Sequence, residues 1–237
     1  MKGLVKSLFL LTAVIHLYFA FWGYSNFLSI GSKLLLMPLL LLLAFFYRAE
    51  SEKRSLWSLM IAALFFSFLG DLFLSDLFDR DQSFIFGLGS FLLTQILYIM
   101  IFRMSGADMR KLPQFRLLIP AILILVWAVG IFMYIEGNLG ALMGPVVIYI
   151  VVITGMCLYA LSRFEAVAKG SFFLVLSGAI LFMISDMFIA LDKFSTVIEN
   201  ERVLVMSTYI LAQYLILNGI RLGDETLELA NKRIEDE

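Results

Sequence analysis

Among its 237 residues this chain has one histidine, His16, and one cysteine, Cys157. A lone histidine excludes His-rich metal sites and the HExxH zinc motif. A lone thiol excludes any intramolecular disulfide, so cysteine usage does not report the redox compartment. Charge is scarce as well. Asp, Glu, Lys and Arg make up 16% of the residues, too few to clothe a soluble fold of this size. The net charge of −1 argues against a nucleic-acid partner. No GxSxG elbow, P-loop or strand-linked GxGxxG occurs, and no basic cluster falls inside an apolar run. Serine hydrolase, ATPase and voltage-sensor readings therefore lose their footing. Nothing in the chain points to a bound metal or cofactor.

What the chain has in abundance is apolar surface. The apolar set reaches 62%, with a mean hydropathy of +0.95, against about 45–50% in soluble domains. A bilayer is the solvent that tolerates this composition. A helix needs about 20 residues to cross it, and stretches of that order run near 4–23, 32–48, 56–78, 84–103, 115–135, 139–161, 171–192 and 203–221. The expected fold is all-α: a polytopic membrane protein of eight transmembrane helices in one domain, 1–222, followed by a polar tail, 223–237. Alternating polarity, which a barrel requires, is missing. Lys2 and Lys6 before the first run resemble the start of a signal peptide. No small-residue cleavage site follows, only Phe19, Phe21, Trp22 and Tyr24, so the segment reads as a retained first helix.

Alternating the spans sorts the basic residues onto two sides. One side holds Lys2, Lys6, Arg48, Lys53, Arg54, Arg103, Arg110, Lys111, Arg116, Arg163, Lys169, Arg221, Lys232 and Arg233; the other holds Lys33, Arg80, Lys193 and Arg202. The positive-inside rule places the richer side, and both termini, in the cytoplasm of a cell-membrane protein. The halves 1–110 and 111–222 each supply four spans in the same sense. Pro38 in the second span and Pro145 in the sixth fall at the same expected register. Gly70-Asp71-Leu72-Phe73 in the third has a counterpart in Ser185-Asp186-Met187-Phe188 of the seventh, as does Gln95-Ile96-Leu97 in Gln213-Tyr214-Leu215. These matches fit a parallel repeat with sites between halves; chance agreement among hydrophobic helices is the other reading.

Polar groups deep in a membrane helix are costly and tend to be functional. Asp71 and Asp186 each lie about 15 residues into their spans, roughly 22 Å from the cytoplasmic edge and 8 Å from the far one. A protonated acid beside an ionised one equips a site for acid-catalysed hydrolysis. The structural alternative is that each bonds backbone or a nearby serine such as Ser67 or Ser185. Lys33, at the same far edge, either snorkels, pairs with an Asp or holds a lipid phosphate. Gln95, Tyr98, Tyr149, Tyr209 and Gln213 are expected to line a polar cavity, with interhelical bonding as the competing role. His16 reads more readily as a satisfied core residue than a catalytic one. Asp76, Asp79 and Asp81 read as a solvated acidic turn rather than a metal site.

Several pieces, in order, resemble one family. They are Ser32-Lys33-Leu34-Leu35-Leu36-Met37-Pro38, Phe68-Leu69-Gly70-Asp71, Gly87-Leu88-Gly89-Ser90-Phe91 leading to Gln95-Ile96-Leu97-Tyr98, then Pro145 with Tyr149. Gly178 through Asp186, with Ala190 and Phe194, and Tyr209-Ile210-Leu211-Ala212-Gln213 complete the set. The ordered set, from about 32 to 220, is similar to the YhhN-like lysoplasmalogenases. Two departures stand out: the family usually has Lys-Pro where this chain has Lys33-Leu34, and often His where this chain has Gln95. The resemblance implies hydrolysis of the vinyl ether of a lysoplasmalogen, a lysophospholipid drawn from membrane lipid. The products would be a fatty aldehyde and glycerophospho-ethanolamine or -choline. On that footing Asp71 and Asp186 are catalytic, Lys33 takes the phosphate, and Gln95, Tyr98, Tyr149, Tyr209 and Gln213 shape the polar end of the cavity. The rival reading is a lipid or small-molecule transporter that uses the Asp pair for proton coupling.

Overall fold

The computed structural model describes residues 1–23, 27–75, 77–78, 80–112 and 114–235, those at 80–82 and 230–235 by backbone alone. Asp76, Asp79 and the side chain of Asp81 thus lie outside the described residues, as do the side chains of Arg80, Lys232 and Arg233. Among the described residues there are eight long helices and no strand. They are α1 (Lys2–Phe21), α2 (Phe27–Glu50), α3 (Arg54–Phe73), α4 (Arg80–Met104), α5 (Phe115–Ile135), α6 (Met143–Leu161), α7 (Lys169–Phe194) and α8 (Glu201–Glu235). All eight contain a window long and apolar enough to cross a membrane, where only a helix or a closed barrel satisfies every backbone amide.

The ends of the helices have local causes. α3 stops at Phe73, short of the expected 78: the Ser75 hydroxyl turns back to donate to the Leu72 carbonyl at 2.6 Å. α6 starts at Met143 rather than near 139, after two short 3-10 turns, Glu136–Asn138 and Gly140–Leu142. Pro145 explains this. It sits in the first turn of α6, where its missing N–H has no helical partner to lose. Pro38, by contrast, lies inside α2 and removes the bond to the carbonyl four residues earlier. The two prolines therefore do not share a register.

Helix α7 packs most extensively on α8, α3 on α4, and α2 lies between α1 and α3; α4 and α6 join the two groups. The α7–α8 approach depends on glycine. A Cβ at Gly178 would come within 2.9 Å of the Ala212 carbonyl oxygen, and one at Gly219 within 3.0 Å of the Val175 nitrogen. Helix α5 has the smallest buried share of the eight.

The N-terminus and the last described turns of α8 lie at one end of the bundle. Lys2 pairs with Glu50. Asp224, 6% exposed, accepts from Ser51 Oγ at 2.6 Å and from Trp57 Nε1 at 2.8 Å, tying α8 to the α2–α3 turn. Helix α8 continues through Gly223 into the polar segment, and Asp224 docks its next turn. At the same end Arg163 is fully buried in the α6–α7 connection. It donates to the Ser105 carbonyl and the Ser171 hydroxyl, at 3.4 and 2.9 Å. Burial pulls its guanidinium down to about 10, which leaves it charged at neutral pH.

Candidate active site

The two carboxyls lie equally far along their helices. Arg54 to Asp71 and Lys169 to Asp186 are each 17 residues, about 25 Å of helix at 1.5 Å per residue. Asp71 therefore falls in the last turn of α3, whereas α7 continues about two turns beyond Asp186. Both line one chamber of about 180 Å³ at the end of the bundle away from the termini, with room for several waters at about 30 Å³ each. Asp71 is 2% exposed and accepts from Tyr209 Oη at 3.0 Å. Asp186 accepts on Oδ2 from Tyr149 Oη at 2.5 Å and from Gln95 Nε2 at 3.2 Å. Each carboxyl is thus held by a tyrosine from a different helix.

Cations rim this chamber. Lys33, Lys193 and Arg202 line it, three of the four basic residues on the sparsely charged side. Lys33 Nζ donates to the Leu74 carbonyl at 3.1 Å, a favourable position for a cation at a helix C-terminus. Lys193 Nζ sits 5.4 Å from the centre of the Phe84 ring. Asp192 and Glu201 also face the chamber, so it is a mixed-charge vestibule.

A second, apolar cavity of about 70 Å³ adjoins the first. Leu88, Trp127, Ile131, Ile153 and Met183 form its walls, and Phe84, Phe91 and Asp186 belong to both cavities. Asp186 stands where the polar chamber meets this slot, and Tyr149 approaches it from the slot side.

Of the residues expected at the site, Asp71, Asp186, Lys33, Tyr149 and Tyr209 line one of the two cavities. Gln95 does not; it is fully buried behind Asp186, with its Nε2 on the carboxylate. Tyr98 and Gln213 line neither cavity. Tyr98 Oη donates to Gln213 Oε1, Gln213 Nε2 donates to Ser67 Oγ at 2.9 Å, and Ser67 Oγ donates to Thr94 Oγ1 at 3.2 Å. This chain of bonds lies in the core and joins α4, α8 and α3, so for these two the interhelical role describes their position. The structure adds His16, Lys193 and Arg202. The two cations carried a sequence signal, being charges at the sparse membrane edge. His16 was visible only as a polar residue in mid-span. It is 5% exposed, lines the chamber, and contacts Ser32 Oγ through Nδ1 at 3.1 Å.

Eight apolar spans define a multi-pass helical membrane protein, and six of them line a chamber that holds two carboxyls. The chain belongs to the YhhN family, whose model matches residues 28–220. It is similar to lysoplasmalogenase TMEM86A of Bos taurus, 31% identical over 161 residues, and of Homo sapiens, 32% identical over 164 residues. Each match covers 66% of this chain and 62% of the relative, so the chain spans under two thirds of the length of these curated relatives. No solved structure matches it.

Proposed function

We propose that this protein hydrolyses the vinyl ether of a lysoplasmalogen, releasing a fatty aldehyde and a glycerophospho-ethanolamine or -choline. The observation that carries this reading is the junction at Asp186, where a cation-rimmed polar chamber meets an apolar slot. A single-chain ether lipid has that same division: a phosphate head, a polar glycerol, then a vinyl ether at the root of a long chain. Lys33, Lys193 and Arg202 suit the phosphate, and the slot between α4, α5, α6 and α7 suits the first methylenes. The vinyl ether then lies against Asp186. The names of the two relatives support the same substrate class.

The chemistry needs three things: a proton donor for the alkenyl carbon, negative charge beside the oxocarbenium ion that results, and a water to capture it. Asp71 and Asp186 divide the first two tasks. Tyr209 and Tyr149 hold them in place, and Gln95 fixes Asp186 from behind. With both termini cytoplasmic, the chamber serves the opposite leaflet. The test is incubation of purified protein with lysoplasmenyl-ethanolamine and with its saturated ether analogue, followed by mass spectrometry. Aldehyde from the first alone is the expected result. No aldehyde from either would overturn the proposal.

A further inference from the structure

The chamber contains a nitrogen base that the two carboxyls leave unexplained. His16 enters it from α1. Its Nδ1 meets Ser32 Oγ at 3.1 Å, and Ser32 Oγ in turn donates to the Ser29 carbonyl at 2.8 Å. A hydroxyl has one hydrogen to give. That of Ser32 is committed to Ser29, so toward His16 the Ser32 oxygen is an acceptor and Nδ1 carries the ring hydrogen. In the neutral ring Nε2 is then left with a lone pair. Nε2 is buried and has no hydrogen-bond partner among the described residues, although its ring lines a chamber large enough for water. An orphaned buried acceptor costs about 1–3 kcal/mol, a cost that a hydroxyl donor brought to Nε2 would remove.

We infer that His16 Nε2 is the general base that takes a proton from the attacking water and the general acid that returns it to the departing glycerol oxygen. This inference rests on the vinyl ether reading above, and it supplies the water-handling group that the reading lacks. The protons then balance over one cycle. A carboxyl delivers its proton to the β-carbon of the alkenyl group, leaving an oxocarbenium ion. Water adds to the cationic carbon, forming the new C–O bond, and one of its protons passes to Nε2. The hemiacetal then breaks its bond to the glycerol oxygen, which takes that proton from Nε2. As the aldehyde C=O forms, the hemiacetal hydroxyl returns its proton to the carboxylate. One water is consumed and every protein group ends as it began.

Two variants test this in the full-length protein, with lysoplasmenyl-ethanolamine in phosphatidylcholine vesicles and aldehyde release as the readout. His16→Gln retains an N–H donor for Ser32 but has no exchangeable base. It is expected to fold with a melting temperature near wild type, to keep KM, and to lose about 10²–10³-fold in kcat. His16→Ala opens space for a diffusible base, so imidazole should restore its turnover about tenfold or more, while Asp71→Asn should not respond. Turnover in His16→Gln within about threefold of wild type, or a loss in His16→Ala that imidazole leaves untouched, would overturn the inference and leave the function standing. A wild-type protein that releases no aldehyde would overturn the function, and the inference with it.

Discussion

At the scale of single residues, the chamber rests on two Tyr–Asp pairs with different surroundings. Asp71 lies in the closing turn of α3 with Tyr209 as its hydrogen-bond donor, while Asp186 lies mid-helix with Tyr149 and Gln95 on one oxygen. Replacing either acid by Asn preserves its shape and an acceptor oxygen but removes its ability to ionise or deliver a proton. Asp71→Asn and Asp186→Asn are each expected to lower kcat for aldehyde release by about 10²-fold or more, with the thermal unfolding midpoint little changed. Tyr149→Phe removes one charge-assisted hydrogen bond, worth about 1.5–3 kcal/mol, and should cost roughly 10- to 100-fold in kcat. Steady-state kinetics on purified variants checks both expectations. Wild-type rates in both Asn variants would dissociate the carboxyls from the chemistry.

Residue type and position along a helix are legible in the chain, but the direction in which a side chain points around its helix is not. An Asp in an apolar run is conspicuous because burying it is costly, so Asp71 and Asp186 stood out, as did Lys33 at a span edge. Gln95 and Tyr98, three apart on α4, and Tyr209 and Gln213, four apart on α8, share helical faces. Sequence spacing does not tell a face toward water from one toward another helix. Only the packing shows that Tyr209 lines the chamber while Gln213, bonded to it, lies in the core network with Tyr98. For His16 the sequence favours a satisfied core residue over a catalytic one; its hydrogen-bond partner is Ser32, sixteen residues away and on another helix.

At the scale of elements, all eight spans were legible because length and hydropathy determine them, and their termini shifted where Ser75 and Pro145 intervened. Several helix pairs correspond between halves, α1–α2 with α5–α6, α2–α3 with α6–α7, α3–α4 with α7–α8, and α2–α8 with α6–α4, whereas α1–α8 and α5–α7 lack a comparable counterpart. Each acid is bonded from the other half, Asp71 by α8 and Asp186 by α4. We take these correspondences, with the matched positions of Asp71 and Asp186 along their helices, to favour a parallel repeat whose site forms between halves; the two prolines do not contribute to it. Close helix approach is where glycine matters. Gly178→Ala sets a methyl against the α8 backbone and should cost about 1–3 kcal/mol. Gly89→Ala, with open space around it, should stay within about 1 kcal/mol of wild type. Unfolding titrations of the two variants, side by side, check the contrast.

At the scale of the whole molecule, orientation in the membrane is open to direct measurement because the native thiol does not interfere. Cys157 is fully buried, so an impermeant maleimide should read only introduced cysteines. Val197, 93% exposed between α7 and α8, lies at the chamber end, and Glu52, between α2 and α3, lies at the end with the termini. Val197→Cys is expected to label on intact cells and Glu52→Cys only after permeabilisation. The reverse pattern would invert the proposed orientation and assign the chamber to the cytoplasmic leaflet.

The thinly packed α5 has a kinetic consequence. Trp127 and Ile131 of this helix wall the apolar slot, and Trp127 is also 45% exposed on the outer surface of the bundle. The slot is therefore separated from the surrounding hydrocarbon by a single helix with few inward ties. On the proposed function, a lipid substrate would reach such a site by diffusing in the plane of the bilayer, in two dimensions. Turnover should then follow the mole fraction of substrate among the lipids rather than its amount per volume of buffer. Diluting lysoplasmenyl-ethanolamine with inert phospholipid at constant bulk concentration should slow aldehyde release, and adding more vesicles of the same composition should leave the rate per protein unchanged.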